Sequence, residues 1–349
     1  MQYRGIRKHD HAESGFWVPF IFIHLKKEEK MKNRRMYLVV LTVMVALMIP
    51  GLALAKQFKI GVTTIVTHPA LEADQKGFEK ALADAGVDAV YDYQNAQGEM
   101  ANAQAIAQKF DADKVDLVHA IATPTAQAAC KVIKKIPVVY SSVTDPVDAG
   151  LVKSMDAAGA NVTGVSDAWP VDRQIGLYHE MLPSAKKWGT IYNAGDANSV
   201  KSIGWTRDAM KKRGLELVEV TISNSSEVYT AAQSLIGRVD AVYITSDNMV
   251  ASAFGSVTKV CNGNKIPLFV GNTDQVPMGA IAALGFDYYA VGYAAGKKAA
   301  LILKDGRNPG SIPSGLAEDL KLHINPKAAA KQGMMLDKKY IDTADKVIK

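Results

Sequence analysis

Residues 117–146 read LVHAIATPTAQAACKVIKKIPVVYSSVTDP, and the order of residue types in that run sets the architecture. Leu117 to Ala122 is a short apolar segment of strand length. Thr125 to Lys134 keeps small and apolar residues at helical spacing, and Pro137 to Ser141 returns to β-branched and aromatic residues. Strand, helix and strand in so short a run form the unit of a parallel sheet, because parallel neighbours need a crossover between them.

The same alternation extends in both directions. Phe58 to Thr64 (FKIGVTT) reads as a strand. Ala70 to Ala85 reads as a helix with Leu71, Phe78, Ala81 and Leu82 close to the 3.6-residue period, ended by Gly86 as a C-cap. Ala89 to Gln94 is the next strand and Met100 to Phe110 the next helix. Beyond position 187 the pattern restarts: strand Trp188 to Tyr192, helix Ser199 to Arg213 closed by Gly214, strand Leu217 to Thr221, helix Glu227 to Ile236. Strand Ala241 to Thr245, helix Val250 to Cys261 and strand Pro267 to Val270 complete it. Two successive runs of one pattern predict an α/β protein of two Rossmann-like lobes with parallel sheets. Between the runs, Val143 to Gln174 is rich in Gly, Asp and Thr and suits a crossing. In the tail, Ala280 to Tyr288 reads as a strand, Tyr289 to Lys304 as a helix, Leu320 to Ile324 as a strand and Pro326 to Lys331 as a helix. The expected division is 56–166 with 281–312 as lobe I, and 167–280 with 313–349 as lobe II.

Upstream of this pattern the chain carries an export signal. Met31 to Arg35 (MKNRR) holds three basic residues, Met36 to Ala55 holds no charge, and Pro50-Gly51 precedes Ala53-Leu54-Ala55. Basic start, apolar run and small-x-small cleavage site are the three parts of a secretory signal. A retained anchor would fit 20 uncharged residues, but the helix-breaking Pro-Gly and the Ala-x-Ala favour cleavage after Ala55. Residues 31–55 are therefore expected to be a signal peptide, residues 1–30 an over-extended prefix, and the mature protein periplasmic. No cysteine follows the apolar run, so a lipid-anchored form is not supported.

Residues 1–55 also carry the charge imbalance. The chain has a net charge of +6, but this segment holds nine Lys/Arg and four Asp/Glu, which leaves 32 basic against 31 acidic residues in the rest. No footprint for nucleic acid remains. The 294 residues that follow exceed one ordinary core. Cys130 and Cys261 lie in separate predicted helices and are expected to be two buried free thiols. With no CxxC and no Cys/His cluster, no metal is expected. No Gly-x-Ser-x-Gly elbow, HExxH, Walker loop or GxGxxG follows a strand, so neither catalysis nor a cofactor is expected.

In open α/β sheets ligands bind beyond the carboxyl ends of the strands. Those ends lead here into Thr64, into Thr123 and Thr125 around Pro124, and into Thr144 and Asp145. In the second run they lead into Asn193 with Asn198 and Ser199, into Asp247 and Asn248, and into Asp274. Thr123 and Thr125 could hold a carboxylate at a helix start, or Thr123 could simply cap that helix. Asp247 could receive an ammonium group or cap the helix after it. Trp169 and Tyr192 are candidates for an aromatic wall, with Trp205 and Tyr288 behind them, although core packing is the default for each. His68 reads as a cleft-edge or helix-start residue and His119 as a satisfied core histidine.

Eight segments are together familiar: HPALEADQKGFEKAL (68–82), NAQGE (95–99), IATPTAQAA (121–129), IPVVYSSVTDPVDAGLV (136–152), NVTGVSD (161–167), YNAGDANSV (192–200), DNMVAS (247–252) and GFDYYAVGYAAG (285–296). In this order they resemble the ABC-transporter substrate-binding family that includes tryptophan/tyrosine-type binding proteins, over about Phe58 to Gly333. The resemblance implies a type I periplasmic-binding-protein-like fold with three crossovers, no catalysis, and delivery of a small ligand, best guessed an amino acid, to a membrane permease with its ATPase. It implies Thr123, Thr125 and Thr144 for a ligand carboxylate, Asp247 for its ammonium, and Ser166, Asp167, Asn198, Ser199 and Asn248 along the cleft. Where the family often has a glutamate before His-Pro, this chain has Thr67. A monomer is expected. The alternative is a sensory module presenting the same ligand to a receptor kinase.

Overall fold

The computed structural model describes Met36, Leu38 and residues 56–156 and 159–349. The expected prefix and, apart from Met36 and Leu38, the expected signal segment with its cleavage site lie outside these residues. Among the described residues no helix is long and apolar enough to cross a membrane.

The first run forms β1 (Phe58–Thr64), α1 (Pro69–Asp84), β2 (Ala89–Asn95), α2 (Met100–Ala112), β3 (Leu117–Ile121), α3 (Thr123–Val132), β4 (Val138–Val143) and β5 (Val162–Ser166). The second forms α4 (Val171–Met181), β6 (Lys187–Asn193), α5 (Ala197–Lys212), β7 (Glu216–Ile222), α6 (Val228–Ser234), β8 (Ala241–Ile244), α7 (Asn248–Ser252), α8 (Phe254–Asn264), β9 (Leu268–Val270) and β10 (Ala282–Gly285). The tail adds α9 (Tyr288–Leu303), β11 (Gly315–Leu316), β12 (Lys321–Ile324), α10 (Pro326–Lys331), α11 (Lys338–Thr343) and β13 (Lys346–Val347). A six-stranded parallel sheet runs β11-β5-β4-β3-β1-β2, and a seven-stranded sheet runs β13-β12-β10-β9-β8-β6-β7. In the second sheet β12 departs from the parallel expectation and pairs antiparallel to β10. Every residue of β3, β4 and β8 is buried, as strands covered by helices on both faces must be.

Sheet membership defines two lobes and three crossings, as a type I binding-protein fold requires. The first crossing follows β5, and only residues 167–170 of the Gly- and Thr-rich stretch make it, since β5 itself lies in lobe I. The other two fall later than expected. β10 pairs with β9 and β12, so the chain leaves lobe II after Gly285 and not at 280. β11 pairs with β5, so lobe I extends past 312 to Leu316. Strand pairing decides both boundaries, and neither short strand has a periodicity that would reveal its sheet.

The late return to lobe I is held by α9 lying directly on α1. A Cβ at Gly292 would sit 1.8 Å from the carbonyl oxygen of Asp74, and one at Gly77 would sit 2.0 Å from that of Tyr289. The two backbones touch there, which only glycine permits. Two smaller differences concern helix limits: α3 begins at Thr123, and the helix expected over 250–261 is divided at Ala253 into α7 and α8. Both cysteines are free, Cys261 buried and Cys130 only half-buried.

Candidate functional site

The carboxyl ends of β3 and β4 meet the cleft with unusual backbone. Ala122 and Ser142 both have positive φ, 78° and 53°, values that side-chain-bearing residues adopt at a cost. The β4–β5 register shifts between Tyr140 and Val143, which marks a bulge at Ser141-Ser142. Its effect is visible in the side chains. Consecutive strand residues should point to opposite faces, yet both hydroxyls donate to one buried carboxylate, Asp74 of α1, Ser141 at 2.7 Å and Ser142 closer still. His119 completes the group, with Nε2 2.7 Å from Ser141 Oγ and its ring stacked on Phe78 at 3.7 Å.

Above this network lies a narrow, partly open cavity between the lobes. Lobe I contributes His68, Leu71, Ser142, Thr144 and Tyr288, and the first crossing contributes Asp167 and Trp169. Lobe II contributes Asn198 from α5, Thr245 to Asn248 after β8, and Asn272 and Gln275 after β9. The lobes touch across it: Thr144 Oγ1 is 3.5 Å from Ser246 Oγ, and His68 Nε2 is 3.4 Å from Asn248 Oδ1. Burial lowers the His68 pKa to about 4, so this imidazole is neutral at physiological pH.

The two acids of the cavity differ in what they already hold. Asp247 caps α7 through Oδ1, which accepts from Val250 N–H at 2.8 Å, while Oδ2 accepts from Asn193 N–H at 2.6 Å and the Ser199 hydroxyl at 2.7 Å. Burial raises its carboxyl above the usual range, and these donors pull it back. Asp167 is 3 % exposed, accepts the Tyr288 hydroxyl on Oδ2 at 2.7 Å, and leaves Oδ1 buried with no partner. Burial pushes its pKa up to about 6; the Tyr288 hydroxyl works against that and the charge of Asp74 adds to it. Three further oxygens on cavity-lining residues are buried without partners, Asn198 Oδ1, Thr245 Oγ1 and Gln275 Oε1. The Asn198 amide nitrogen donates to Ser246 O at 3.2 Å. The Trp169 ring stands against Gly271, where a Cβ would meet it at 1.9 Å, and its Nε1 donates to the Tyr288 hydroxyl at 3.1 Å.

Of the residues singled out in the sequence, His68, Thr144, Asp167, Trp169, Asn198, Asp247, Asn248 and Tyr288 come together on this cavity. The others are placed elsewhere. The Thr125 hydroxyl donates to Ile121 O and Ala122 O, so it offers the cleft nothing. Thr123 does not cap its helix, because Ala122 occupies the cap position; its Oγ1 accepts from Thr144 N–H at 3.4 Å. Ser166 and Ser199 lie behind the lining, bonded to Thr144 O and to Asp247. Thr64 donates to Val66 O and lines a neighbouring pocket of lobe I. Asp145 lies on the rim, Asp274 lines a separate cavity beside the crossings, and Tyr192 points to Glu219 of β7. Ser142 and Asn272 fell within strand-end runs of the sequence without a role, and Thr245, Ser246 and Gln275 were not singled out; a strand-end position was the only signal they carried.

Comparison with known proteins agrees with this fold. Residues 59–348 match the family model described as ABC transporter substrate binding protein. A tyrosine-binding protein of Clostridioides difficile (strain R20291) is 43% identical over 294 residues, covering 82% of this chain and 85% of that protein. A domain from Streptococcus pneumonia solved in complex with L-Trp superposes with a TM-score of 0.80 at 30% identity, covering 84% of this chain and 100% of that one. The ligand-free, open structure of a substrate binding protein with adhesive properties from Clostridium difficile is 38% identical over 84% of this chain and 99% of that one, yet its TM-score is only 0.63. The more identical chain is the poorer superposition.

Proposed function

The chain belongs to the ABC transporter substrate-binding protein family, and from that premise we propose that it captures an aromatic amino acid, tyrosine or tryptophan, between its lobes. It binds and does not transform its ligand. It is exported under the signal at 31–55, works as a periplasmic monomer, and delivers the ligand to an ABC permease and its ATPase.

The observation that carries the ligand class is the set of buried acceptors without donors. Asp167 Oδ1, Asn198 Oδ1 and Gln275 Oε1 are three such oxygens on one cavity. A buried polar atom left unpaired costs about 1–3 kcal/mol, so three together call for a ligand with several donors. An α-ammonium has three, and its charge suits Asp167. Asp247, which the sequence favoured for this role, already accepts from three protein donors. We assign it instead to shaping the lobe II wall. The ligand carboxylate then faces the Thr144 hydroxyl and neutral His68, and the ring lies along Trp169.

Titration calorimetry of the purified chain with L-tyrosine, L-tryptophan and their N-acetyl forms tests this. The free amino acids should bind and the N-acetyl forms should not. Equal affinity for both would remove the ammonium from the reading.

A further inference from the structure

One ion-pair cluster ties the lobes together outside the cavity. Lys201 of α5, in lobe II, reaches Asp145 Oδ2 at 3.0 Å and Asp148 Oδ1 at 3.2 Å, both on the loop that follows β4 in lobe I. We propose that this cluster is a closure latch, formed only when the lobes meet, that sets how long the ligand is held. The proposal rests on the reading of the chain as a two-lobed binder and concerns the kinetics of that same cleft.

An exposed ion pair ordinarily contributes little, because ordering two long side chains offsets most of the attraction. Here both halves are ordered by their own lobes. Asp145 Oδ1 accepts from the N–H groups of Val147 at 3.2 Å and Asp148 at 3.0 Å, which folds the loop into a turn. Ala149 N–H donates to Asp145 O at 2.9 Å, and Gln127 of α3 donates to Ala149 O at 3.1 Å. The second carboxylate oxygen is thereby left pointing outward. On the other lobe, the Lys201 ammonium lies 5.7 Å from the ring centroid of Trp205, one turn along the same helix, a cation–π contact that steadies the side chain.

Two carboxylates on one ammonium also make the cluster a network. Lys201 and Asp145 remain 29% and 26% exposed at the side chain, enough for salt to screen them. Inside the cavity the cross-lobe contacts are neutral and long, at 3.4 and 3.5 Å. The latch is therefore the ionic part of closure. Since an interface variant changes dissociation more than association, its loss should appear in the release rate.

The test is stopped-flow release of L-tyrosine or L-tryptophan from the wild type and from Lys201→Met, Asp148→Asn and the double variant, at low and high salt. Met keeps the packing on Trp205 without the charge. Lys201→Met should release ligand about fivefold faster at low salt, a factor of the size a well-ordered exposed pair supplies. It should also lose most of the salt dependence that the wild type shows, and the double variant should be no faster than Lys201→Met. Release and salt response equal to wild type would overturn the latch. If the wild type bound neither amino acid, the ligand reading would fall, and small-angle scattering of the ligand-free chain would decide the latch. Lys201→Met must then be less compact than wild type at low salt, and equal dimensions would overturn it.

Discussion

Asp167 and Asp247 border the same cavity, and what separates them is how many donors each already has. Asp247 accepts three hydrogen bonds from lobe II, so Asp247→Ala strands three donors at once. It should cost about 2–4 kcal/mol of stability, read as a lowered urea midpoint. Asp167 has an oxygen to spare, and Asp167→Asn should instead weaken L-tyrosine or L-tryptophan by about 1.5–3 kcal/mol, the range for a hydrogen bond to a charged group, with little loss of stability. The pH dependence follows from the raised carboxyl, about 6 against an ordinary 3.8. In the empty protein this group favours folding most below its unfolded pKa, and that contribution is lost as pH rises through about 6. The ammonium needs the ionised form. Affinity should therefore be flat above about pH 6 and fall towards tenfold per pH unit below it, with a proton released on binding. Calorimetry in buffers of different ionisation enthalpy reads both effects, and an affinity unchanged between pH 7 and pH 5 would exclude Asp167 as the partner. The sequence placed Asp247 at a strand end, and Asp247-Asn248 before a helix already suggested capping, whereas Asp167 entered only through the family resemblance. Which carboxylate keeps a free oxygen depends on Tyr288, 121 positions along the chain from Asp167, and no local pattern carries that.

At the scale of elements, the alternation of apolar strands and 3.6-period helices made both lobes legible, because each βα unit buries its own residues and so writes its own pattern. The return of the chain was less legible. β10 and β11 are four and two residues long, too short for a period, and their sheets are chosen by where α9 packs. That packing rests on backbone contact, so it can be broken at one atom. Gly292→Ala would drive a Cβ into the Asp74 carbonyl and force α1 and α9 apart. Overpacking of this kind costs typically about 1–3 kcal/mol, and here it also moves the helix that carries Asp74. The expected result is a lowered melting temperature together with weaker ligand binding. Gly255→Ala, at a helical site where a Cβ meets nothing within 4 Å, should leave both intact. The bulge at Ser142 escaped the sequence for a related reason. A serine pair on a strand looks ordinary until a carboxylate from another element takes both hydroxyls.

For the whole molecule, two lobes and a crossing could be read from the repeat of the pattern, but closure could not, since the same sequence must specify the open and the closed arrangement. The residues that meet on closure, Thr144 with Ser246 and His68 with Asn248, belong to opposite runs and are spaced by 102 and 180 positions. A ligand held by residues of both lobes, as proposed, is expected to enter through an open form and shift the balance towards the closed one. The Thr144 and Ser246 hydroxyls, 3.5 Å apart, mark where that balance can be frozen. In the double variant Thr144→Cys, Ser246→Cys, modest movement would bring the sulfurs to bonding distance. Oxidised without ligand, the variant should take up labelled L-tyrosine or L-tryptophan far more slowly than its own reduced form, and a reductant should restore uptake. Oxidised after loading, it should retain label that the reduced form releases. Equal uptake by the two redox forms would mean that the ligand enters without the lobes separating, by a path that leaves the Thr144–Ser246 contact in place.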